Sequence, residues 1–419
     1  MPASSSPHIS APDLGIPPSA STVDLSIINT TGTIRGVSAD LFLSPPVKGY
    51  DWLAVPVVSF LIQHPRLNRS LLFDLGIRKD WENLSPPLLT RIKSLGWTLS
   101  VDRDVHEILQ EAGVDPGNIE AIVWSHHHFD HTGDPSRFPP STALIVGPGF
   151  QSMLPGYPTD PTSTILESSL ANRRLIELDF ESGRAGTDTY TPLNIGGFRA
   201  LDYFGDGSFY LLHTPGHTAG HISGLARVTS DPASFVLLAG DAIHHPGEIR
   251  PSRYLPFPAD IIPDPFAPDP RPLASHYGCA AAVFDSLFAA RGRSAGDPIF
   301  DPARAKHGEE AFHDDVDELR RTAAKLQAMD AHDNVLVAAA HDEALLDHMD
   351  FFPDGKLNGF VHHAWVRRVR WRFLKDFAAA VGKQDHEMLE ATADLIIGTR
   401  KHTGNEGAFV FVDLEPELE

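Results

Sequence analysis

Short apolar runs separated by turn residues recur along most of the chain, and this pattern predicts a succession of strands. The runs are rich in Val, Ile, Leu and Phe, and Gly, Pro, Asn or Asp stand near many of their ends. One helix is predicted where Val105, Ile108 and Leu109 recur at helical spacing before Gly113. The predicted strands are residues 23–29, 38–43, 55–63, 69–73, 121–124, 143–146, 209–213, 235–239 and 335–340.

Changes in composition suggest how the chain is organised. Residues 1–21 are rich in Ser, Pro and Ala and have little to bury, which predicts a disordered tail. Residues 22–419 are expected to form one domain. Nine prolines within residues 244–272 exclude regular structure there and predict a long ordered insertion loop. Helices are predicted at residues 274–290, 309–329, 374–381 and 387–397, the last two within a C-terminal extension over residues 346–419.

Charge and cysteine content exclude several classes of protein. The net charge of the 419-residue chain is −21, and a field of that sign repels nucleic acids and anionic membranes, so neither is expected as a partner. The single cysteine, Cys279, excludes an internal disulfide and a cysteine-rich zinc site. The first residues lack the basic and apolar regions of a secretory peptide, and no apolar run is long enough to span a bilayer, so a cytoplasmic location is expected.

Histidine is abundant, with 22 residues, and the densest cluster is the motif SHHHFDHTG at residues 125–133. Because alternate side chains of an extended chain share a face, His126 and His128 can point the same way and supply half of a tetrahedral metal site. His127 should then point away. Asp130 and His131 lie past the bend and can face a second ion. Ligands of this kind suit a borderline divalent metal such as zinc.

Three other predicted strands also run into a residue that can bind metal. His217 lies in HTPGHTAGH, residues 213–221, where Pro and Gly force a tight turn. Asp241 follows the strand at 235–239, and its two carboxylate oxygens can bridge two cations. His341 follows the strand at 335–340. Since α/β folds build sites from loops at one end of a sheet, these strand ends predict a shared metal centre.

The ordered set HxHxDH, TPGHTxGH, a strand-end GD and a late strand-end His resembles the metallo-β-lactamase superfamily over residues 23–345, and looks closest to its N-acyl-homoserine lactonase-like branch. The resemblance implies an α/β fold, a four-layer αββα sandwich with the metals at one edge. It also implies that Asp74, in the segment FDLG, supports the metal loop by hydrogen bonding. The implied ligands are His126, His128 and His217 for a first ion, Asp130, His131 and His341 for a second, and Asp241 between them.

The resemblance implies a metal-dependent hydrolase with two divalent ions, zinc being expected and iron or manganese being alternatives. Two such ions generate hydroxide near neutral pH and polarise the attacked carbonyl. The expected reaction is the opening of a lactone or lactam ring, or of a related ester, by a metal-bridging hydroxide, with Asp130 also a candidate proton shuttle. The alternatives are a thioesterase of the same fold (glyoxalase II-like or polyketide-releasing), a phosphodiesterase and a non-catalytic binding module.

Candidate substrate contacts follow from a departure from the family pattern and from the insertion loop. Lactonases of this branch commonly carry Tyr three residues after the bridging aspartate, whereas this chain has His244, so His244 or His245 is the candidate hydrogen-bond donor to the substrate. Tyr254 and Phe257 in the insertion loop, and Trp52 in an early hairpin loop, are candidate pocket walls. They favour a small apolar or aromatic lactone or lactam as the substrate, and a homodimer is left open as the assembly.

Overall fold

The computed structural model describes residues 9–267, 278–289, 292–306 and 311–383, and its centre is two β-sheets packed face to face. The first sheet has seven strands. The four strands on one side of this sheet are parallel to one another. The three strands on the other side pair antiparallel with one another and with the first of the parallel strands. In spatial order the strands are Thr98–Ser100, Asp24–Ser38, Trp52–His64, Arg69–Phe73, Ile119–Val123, Ala143–Val146 and Leu175–Glu177.

The second sheet has six strands, which follow one another in space in the order of the chain. Five of them form an antiparallel meander, and the sixth joins its edge in parallel. They are Pro192–Ile195, Phe198–Asp202, Phe209–His213, Ile222–Ser230, Ala233–Gly240 and Val335–Ala339. Three further pairs of two-residue strands are Leu43–Ser44 with Asp301–Pro302, Arg184–Ala185 with Asp188–Thr189, and Asp260–Ile261 with Cys279–Ala280.

In the described part of the chain, the α-helices are short except for Val316–Asp330, which has 15 residues. The α-helices in the described part are Pro86–Ser94, Val105–Glu111, Phe129–Thr132, Glu167–Leu170, Asp285–Ala289, Val316–Asp330, Glu343–His348 and Trp365–Val369. The 3-10 helices there are Ala39–Leu41, Trp81–Asn83, Pro116–Asn118, Pro135–Arg137, Phe150–Met153, Pro246–Glu248, Ala281–Phe284, Leu357–Gly359 and Arg372–Phe377. No helix in the described ranges is long and apolar enough to cross a membrane.

The apolar core confirms the predicted αββα layering. Side chains from the facing sides of both sheets, such as Phe60 and Leu238, form a central cluster. Helix Val105–Glu111 packs on the outer face of the first sheet, and helix Val316–Asp330 packs on the outer face of the second. Because strands such as Ala143–Val146 are covered on both faces, they are apolar throughout rather than alternating.

Most of the predicted strands are present, and three have the predicted bounds: Arg69–Phe73, Ala143–Val146 and Phe209–His213. The strand predicted at residues 38–43 is wrong. The first strand instead continues through Thr30 and Gly32 as far as Ser38, with two register irregularities against its neighbour. A 3-10 turn, Ala39–Leu41, follows. Such irregularities let a strand bend and continue through residues that otherwise predict a turn.

The N-terminal prediction is wrong for residues 9–21. Leu14 is buried against the outer face of the second sheet, and its carbonyl accepts a hydrogen bond from the Gly196 amide. The Arg227 guanidinium donates to the carbonyl of Pro17. These contacts join residues that are distant in sequence, so local composition gave no sign of them. Residues 1–8 lie outside the described part of the chain.

The predicted C-terminal helices need correction as well. Helix Val316–Asp330 begins later than predicted, because residues 311–315 run along the turn at His217 and the Asp315 side chain caps the helix. Of the helix predicted at 274–290, residues 278–284 form a short strand and a 3-10 turn, and only Asp285–Ala289 is α-helical. Residues 374–381 form part of a 3-10 helix and turns. The helix predicted at 387–397 lies outside the described residues.

The start of the Pro-rich segment is fixed by a buried ion pair. Two guanidinium nitrogens of Arg250 donate to the carboxylate of Asp330, at 2.8 and 2.6 Å, and a third donates to the carbonyl of Arg370 at 2.9 Å. Both charged side chains are 3% exposed. Burial by itself raises the pKa of the Asp330 carboxyl, but Arg250 outweighs it and holds that pKa below its usual value. The pair therefore ties the segment after His245 to helix Val316–Asp330.

Replacing Asp330 with Asn should lower the free energy of unfolding by about 3–5 kcal/mol, because a buried guanidinium loses its counter-charge. The loss should be seen near neutral pH in urea denaturation. As the pKa of Asp330 is depressed in the folded state, the pair's contribution is present above the pKa of the unfolded carboxyl and lost as the pH falls through the folded value. The matched control is Asp188→Asn, which breaks an exposed pair with Arg174 and should cost less than about 1 kcal/mol. Equal losses in the two variants would contradict this account.

Candidate metal centre

The loop that carries the HxHxDH motif is held by the aspartate that ends a neighbouring strand. Strands Arg69–Phe73 and Ile119–Val123 are parallel, so the residues that follow them meet at one edge of the sheet. There the Ser125 amide donates to Asp74 Oδ1 at 2.7 Å, and Asp74 Oδ2 lies 2.9 Å from His131 Nδ1. Asp74 therefore joins the Ser125 amide to the His131 ring, and its support of a bound metal stays a prediction.

The turn that carries His217 depends on Gly216. Its φ is +130°, and a Cβ at this position would lie 2.3 Å from the Leu319 amide nitrogen. Only glycine combines that backbone conformation with such close packing. The turn follows strand Phe209–His213 and presents the His217 ring to the loop that contains His126.

Asp241 and His341 reach the same place because their strands are parallel. Ala233–Gly240 and Val335–Ala339 are hydrogen-bonded neighbours, with Gly240 opposite Ala339. Parallel strands end at the same edge of a sheet, so the residues that follow them lie side by side. His341 Nε2 is 3.2 Å from Asp241 Oδ1.

One group of donors consists of His126, His128, His217 and Asp241, whose ligand atoms all lie within 4.8 Å of one another. His217 Nε2 is 3.2 Å from His126 Nε2 and 2.9 Å from His128 Nδ1. Asp241 Oδ2 is 3.5 Å from His217 Nε2 and 3.8 Å from His126 Nε2. Burial lowers the pKa of all three imidazoles well below the usual value, so each is a neutral donor near pH 7.

A second group consists of Asp130, His131 and His341. Asp130 Oδ2 lies 3.6 Å from His341 Nε2 and 3.8 Å from His131 Nε2. Asp241 faces this group with its other oxygen, since Oδ1 is 3.1 Å from His131 Nε2. Burial disfavours charge on His131, but Asp241, Asp130 and Asp74 raise the pKa of its imidazole well above the usual value. The two groups thus meet at the two oxygens of one carboxylate.

Buried polar atoms without hydrogen-bond partners indicate that these nitrogen and oxygen atoms are arranged to bind metal. His131 Nε2 and Asp241 Oδ1 are buried and 3.1 Å apart, but this contact lacks the geometry of a hydrogen bond, and neither atom has a hydrogen-bond partner among the described residues. Buried polar atoms without partners are costly unless a ligand or ion satisfies them. Imidazole nitrogens and carboxylate oxygens are the donors that divalent zinc and similar ions prefer. The residues therefore fit the metal ions that the sequence predicted.

The ligand-type histidines are oriented by partners at their second ring nitrogens. His341 Nδ1 lies 2.8 Å from the carbonyl oxygen of Pro56, and His126 Nδ1 lies 3.1 Å from Ser125 Oγ. Such partners fix the tautomer and direction of a metal-binding imidazole. His221, the last residue of the TPGHTxGH motif, accepts from the Asp241 amide at 3.0 Å and so positions the shared carboxylate from behind.

His244 points into the centre, whereas His245 does not. Neither ring nitrogen of His244 has a hydrogen-bond partner among the described residues, and Nε2 lies 3.3 Å from Asp241 Oδ2. Its ring packs on Phe42, with ring centroids 4.5 Å apart. His245 turns away and contacts Asp376 through Nε2 at 3.1 Å. The sequence offered both histidines as hydrogen-bond donors to the substrate, and His244 is the one that lies beside the candidate metal ligands.

Comparison with known proteins identifies the family to which a chain with these residues is similar. The family model described as the metallo-beta-lactamase superfamily matches residues 53–143. The chain is 40% identical, over 95% of its length and 92% of the relative's, to Gamma-lactamase FDB1 of Fusarium pseudograminearum (strain CS3096). It is 39% identical, over 90% of its length and 93% of the relative's, to Metallo-hydrolase mfmC of Annulohypoxylon moriforme.

The chain belongs to the metallo-β-lactamase superfamily. It is a hydrolytic enzyme of that superfamily, which binds divalent metal. A solved structure of a quorum-quenching N-acyl homoserine lactone hydrolase resembles it with a TM-score of 0.45 and 17% identity, over 80% of this chain and 98% of that one. The family model and the relatives at 40% and 39% identity confirm the resemblance to the superfamily that the sequence motifs gave.

Beside the donors of this superfamily member lies a mostly apolar cavity of about 890 Å³, counted to its open mouth. Phe42, Trp97, Phe129 and Phe312 line it, and the Arg91 guanidinium lies 5.2 Å from the centre of the Phe312 ring. Asp130, His244 and His341 are at its inner end. The aliphatic lining residues are Ile34, Val37, Leu53, Ala54, Val55, Leu88, Ile92 and Leu95.

The predicted pocket walls are not among the residues that line this cavity. Trp52 is 63% exposed. Tyr254 packs beneath the Arg253 guanidinium, and Phe257 belongs to an aromatic cluster with Trp371 and two other phenylalanines. The predicted walls lie away from this cavity because the Pro-rich segment packs on the C-terminal residues instead.

Several residues near the centre were missed by sequence reasoning. Trp97 and Phe312 line the cavity, and His313 lies behind His217. Phe42 was assigned to a strand rather than to a pocket. The His217 turn is flanked in space by Asp314 and Asp315, some 95 residues further along, and nothing in the local pattern links the two segments. The available sequence signal was His313 followed by Asp314 and Asp315 just before helix Val316–Asp330, since acidic residues are typical of a helix start.

Replacing Asp74 with Ala should weaken the binding of metal by about 10- to 100-fold, because His131 and the Ser125 amide lose their shared partner. Chelator competition followed by metal analysis measures this. Asp160→Ala, at an exposed turn, is the matched control and should keep wild-type metal content. If Asp74→Ala bound metal as tightly as the wild type, the supporting role of Asp74 would be wrong.

Proposed function

We propose that this hydrolase opens the ring of a lactam or lactone with two divalent metal ions, for which zinc is the expected metal. The observation that carries the proposal is the Asp241 carboxylate, which presents Oδ2 to His126 and His217 and Oδ1 to His131 and His341. One carboxylate between two sets of donors is the arrangement expected of a two-metal hydrolase. The relative at 40% identity, named a gamma-lactamase, supports the same reaction.

The proposed ligands are His126, His128 and His217 for one ion, Asp130, His131 and His341 for the other, and Asp241 for both. When bound, such ions supply a water molecule of lowered pKa and a Lewis acid for the carbonyl. The chain then needs no nucleophilic side chain of its own. This fits the inner end of the cavity, where histidines and aspartates are the polar groups.

The remaining steps fall to side chains that face the cavity. In ring opening, hydroxide adds to the carbonyl carbon, the bond from that carbon to the ring nitrogen or oxygen breaks, and a proton passes to the leaving atom. We assign that proton to Asp130, which lies at the inner end of the cavity beside His341. We assign to His244 a hydrogen bond to the substrate carbonyl, since both of its ring nitrogens are without partners in the described part of the chain.

The shape of the cavity supports a small apolar substrate. Its walls are aromatic and aliphatic, and pockets of this composition hold ligands by burial of apolar surface while a few polar groups fix their orientation. A flat aryl group can pack against the cavity side of Phe42, Phe312 and Trp97, whose rings already contact one another through Phe312. We therefore propose a lactam or lactone that is fused to, or carries, an apolar or aromatic group.

Removal of metal should abolish ring opening, and two equivalents of zinc per chain should restore it. The purified protein is dialysed against a chelator, reloaded stepwise and assayed on aryl-bearing and alkyl lactams and lactones. Activity that saturates near two ions per chain, with aryl-bearing rings preferred, is expected. Faster turnover of thioesters or of bis-p-nitrophenyl phosphate than of every lactam and lactone would contradict the proposed function.

His244→Ala should lower kcat/KM by about 100-fold with both metal ions retained, because a preorganised donor to the developing oxyanion is lost. Steady-state kinetics on the preferred substrate, with metal content measured on the same samples, provides the test. His244→Tyr, which restores a donor, should recover part of the loss, and His106→Ala, on the helix Val105–Glu111, is the control for loss of a distant histidine. An unchanged kcat/KM in metal-replete His244→Ala would remove His244 from the mechanism.

A further inference from the structure

We propose that His313 is a positioning residue for the metal centre: as a neutral imidazole it accepts a hydrogen bond from His217 and so fixes the tautomer with which His217 binds metal. The inference rests on the proposed ligand set. The observation behind it is a contact of 3.0 Å between His217 Nδ1 and His313 Nδ1, both in buried side chains.

The chemistry of imidazole gives this contact a direction. His217 Nε2 faces His126 and His128, so it is the nitrogen that would bind an ion. A neutral imidazole that binds through Nε2 carries its proton on Nδ1. That proton points at His313 Nδ1, which must therefore be unprotonated to accept it. A protonated His313 would present a second N–H at the same place and repel the donor.

The segment that carries His313 is fastened to the turn it acts on. The Asp314 amide donates to the carbonyl of His217 at 3.0 Å, and the Asp315 amide donates to the carbonyl of Gly216 at 3.0 Å. The Ala219 amide donates to Asp314 Oδ2 at 2.9 Å. Asp315 also caps helix Val316–Asp330, so the helix start fixes the position of the segment. His313 is thus held by backbone contacts and not only by its ring.

The neighbouring rings fix the orientation of the His313 imidazole. Its centroid lies 5.2 Å from that of His244 and 5.9 Å from that of Phe42. His244 and Phe42 both line the cavity, so the ring of His313 stands directly behind the surface that a substrate would touch. A side chain packed between two other rings in this way suits a positioning role, because the packing restricts the rotation of its acceptor nitrogen away from His217.

A neutral partner makes the two groups of donors unequal. The histidine His131 of the second group is backed by a carboxylate, Asp74, whereas His217 of the first is backed by an uncharged imidazole. Carboxylate partners raise the basicity of a ligand imidazole more than neutral ones do. His313 therefore orients the His217 ring by accepting its hydrogen bond and does not raise its basicity with a negative charge. An amide oxygen at the same place should be able to accept that hydrogen bond instead.

The test compares His313→Leu, which has similar bulk but no acceptor, with His313→Asn, whose amide oxygen can accept. Apo-protein is titrated with zinc against a chromophoric chelator, and the visible spectrum of the cobalt-loaded protein is recorded. We expect His313→Leu to bind one of two ions about 10- to 100-fold more weakly and to change the cobalt spectrum, and His313→Asn to stay within about threefold of the wild type. Thermal unfolding of the apo-proteins reports any separate loss of folding.

A double variant identifies which ion depends on His313. Asp74→Ala acts on the second group, so if His313→Leu weakens the ion of the first group, Asp74→Ala with His313→Leu should hold neither ion tightly. His332→Ala, at the far end of helix Val316–Asp330, is the control and should match the wild type.

Three results would overturn the proposal. Wild-type affinity for both ions in His313→Leu would show that the contact is not needed. Equal weakening in His313→Leu and His313→Asn would show that the size of the ring matters rather than its acceptor. Fewer than two ions in the wild type would overturn the two-metal assignment as well, whereas two ions in both the wild type and His313→Leu would leave the proposed function standing.

Discussion

The Asp241 carboxylate is the element on which the rest of the site depends. It is buried, its two oxygens face different groups of histidines, and one of those oxygens has no hydrogen-bond partner in the described part of the chain. Burial alone would raise the pKa of this carboxyl, yet His131, His341 and His244 hold it well below its usual value. A buried anion among so many buried imidazoles is costly unless cations join it, and this cost gives a physical reason for a metal centre.

Parallel strands that end at the same edge of each sheet bring the candidate metal ligands and their supporting residues together. In each sheet, two parallel neighbours bring residues distant in sequence to one edge: Asp74 beside Ser125, and Asp241 beside His341. The His217 turn, held by Gly216, closes the centre from a third direction. Rigid, fully buried strands deliver the donors, and loops then set the distances between them. Precise placement by packing is what allows so many polar groups to be buried together.

Later parts of the chain shape the access to the centre. Residues 311–315 bring Phe312 to the cavity and His313 to His217, and the Arg250–Asp330 pair fastens the segment after His245 to the same helix. The Pro-rich segment contributes less to the cavity than its aromatic content suggested, because Phe257 is used in packing against Trp371. The apolar walls come instead largely from the paired strands Asp24–Ser38 and Trp52–His64 and from helix Pro86–Ser94.

The sequence by itself determined the family and the layered fold and predicted the candidate metal ligands, because closely spaced His and Asp residues at the ends of apolar strands are local patterns. It also placed Asp74 as a supporting residue, and it left His244 and His245 undecided. Only the tertiary structure decided between those two, put Trp52, Tyr254 and Phe257 away from the cavity, packed residues 9–21 on the second sheet, and brought His313 behind His217. All of these depend on contacts between segments far apart in the chain, and local periodicity carries no information about such contacts.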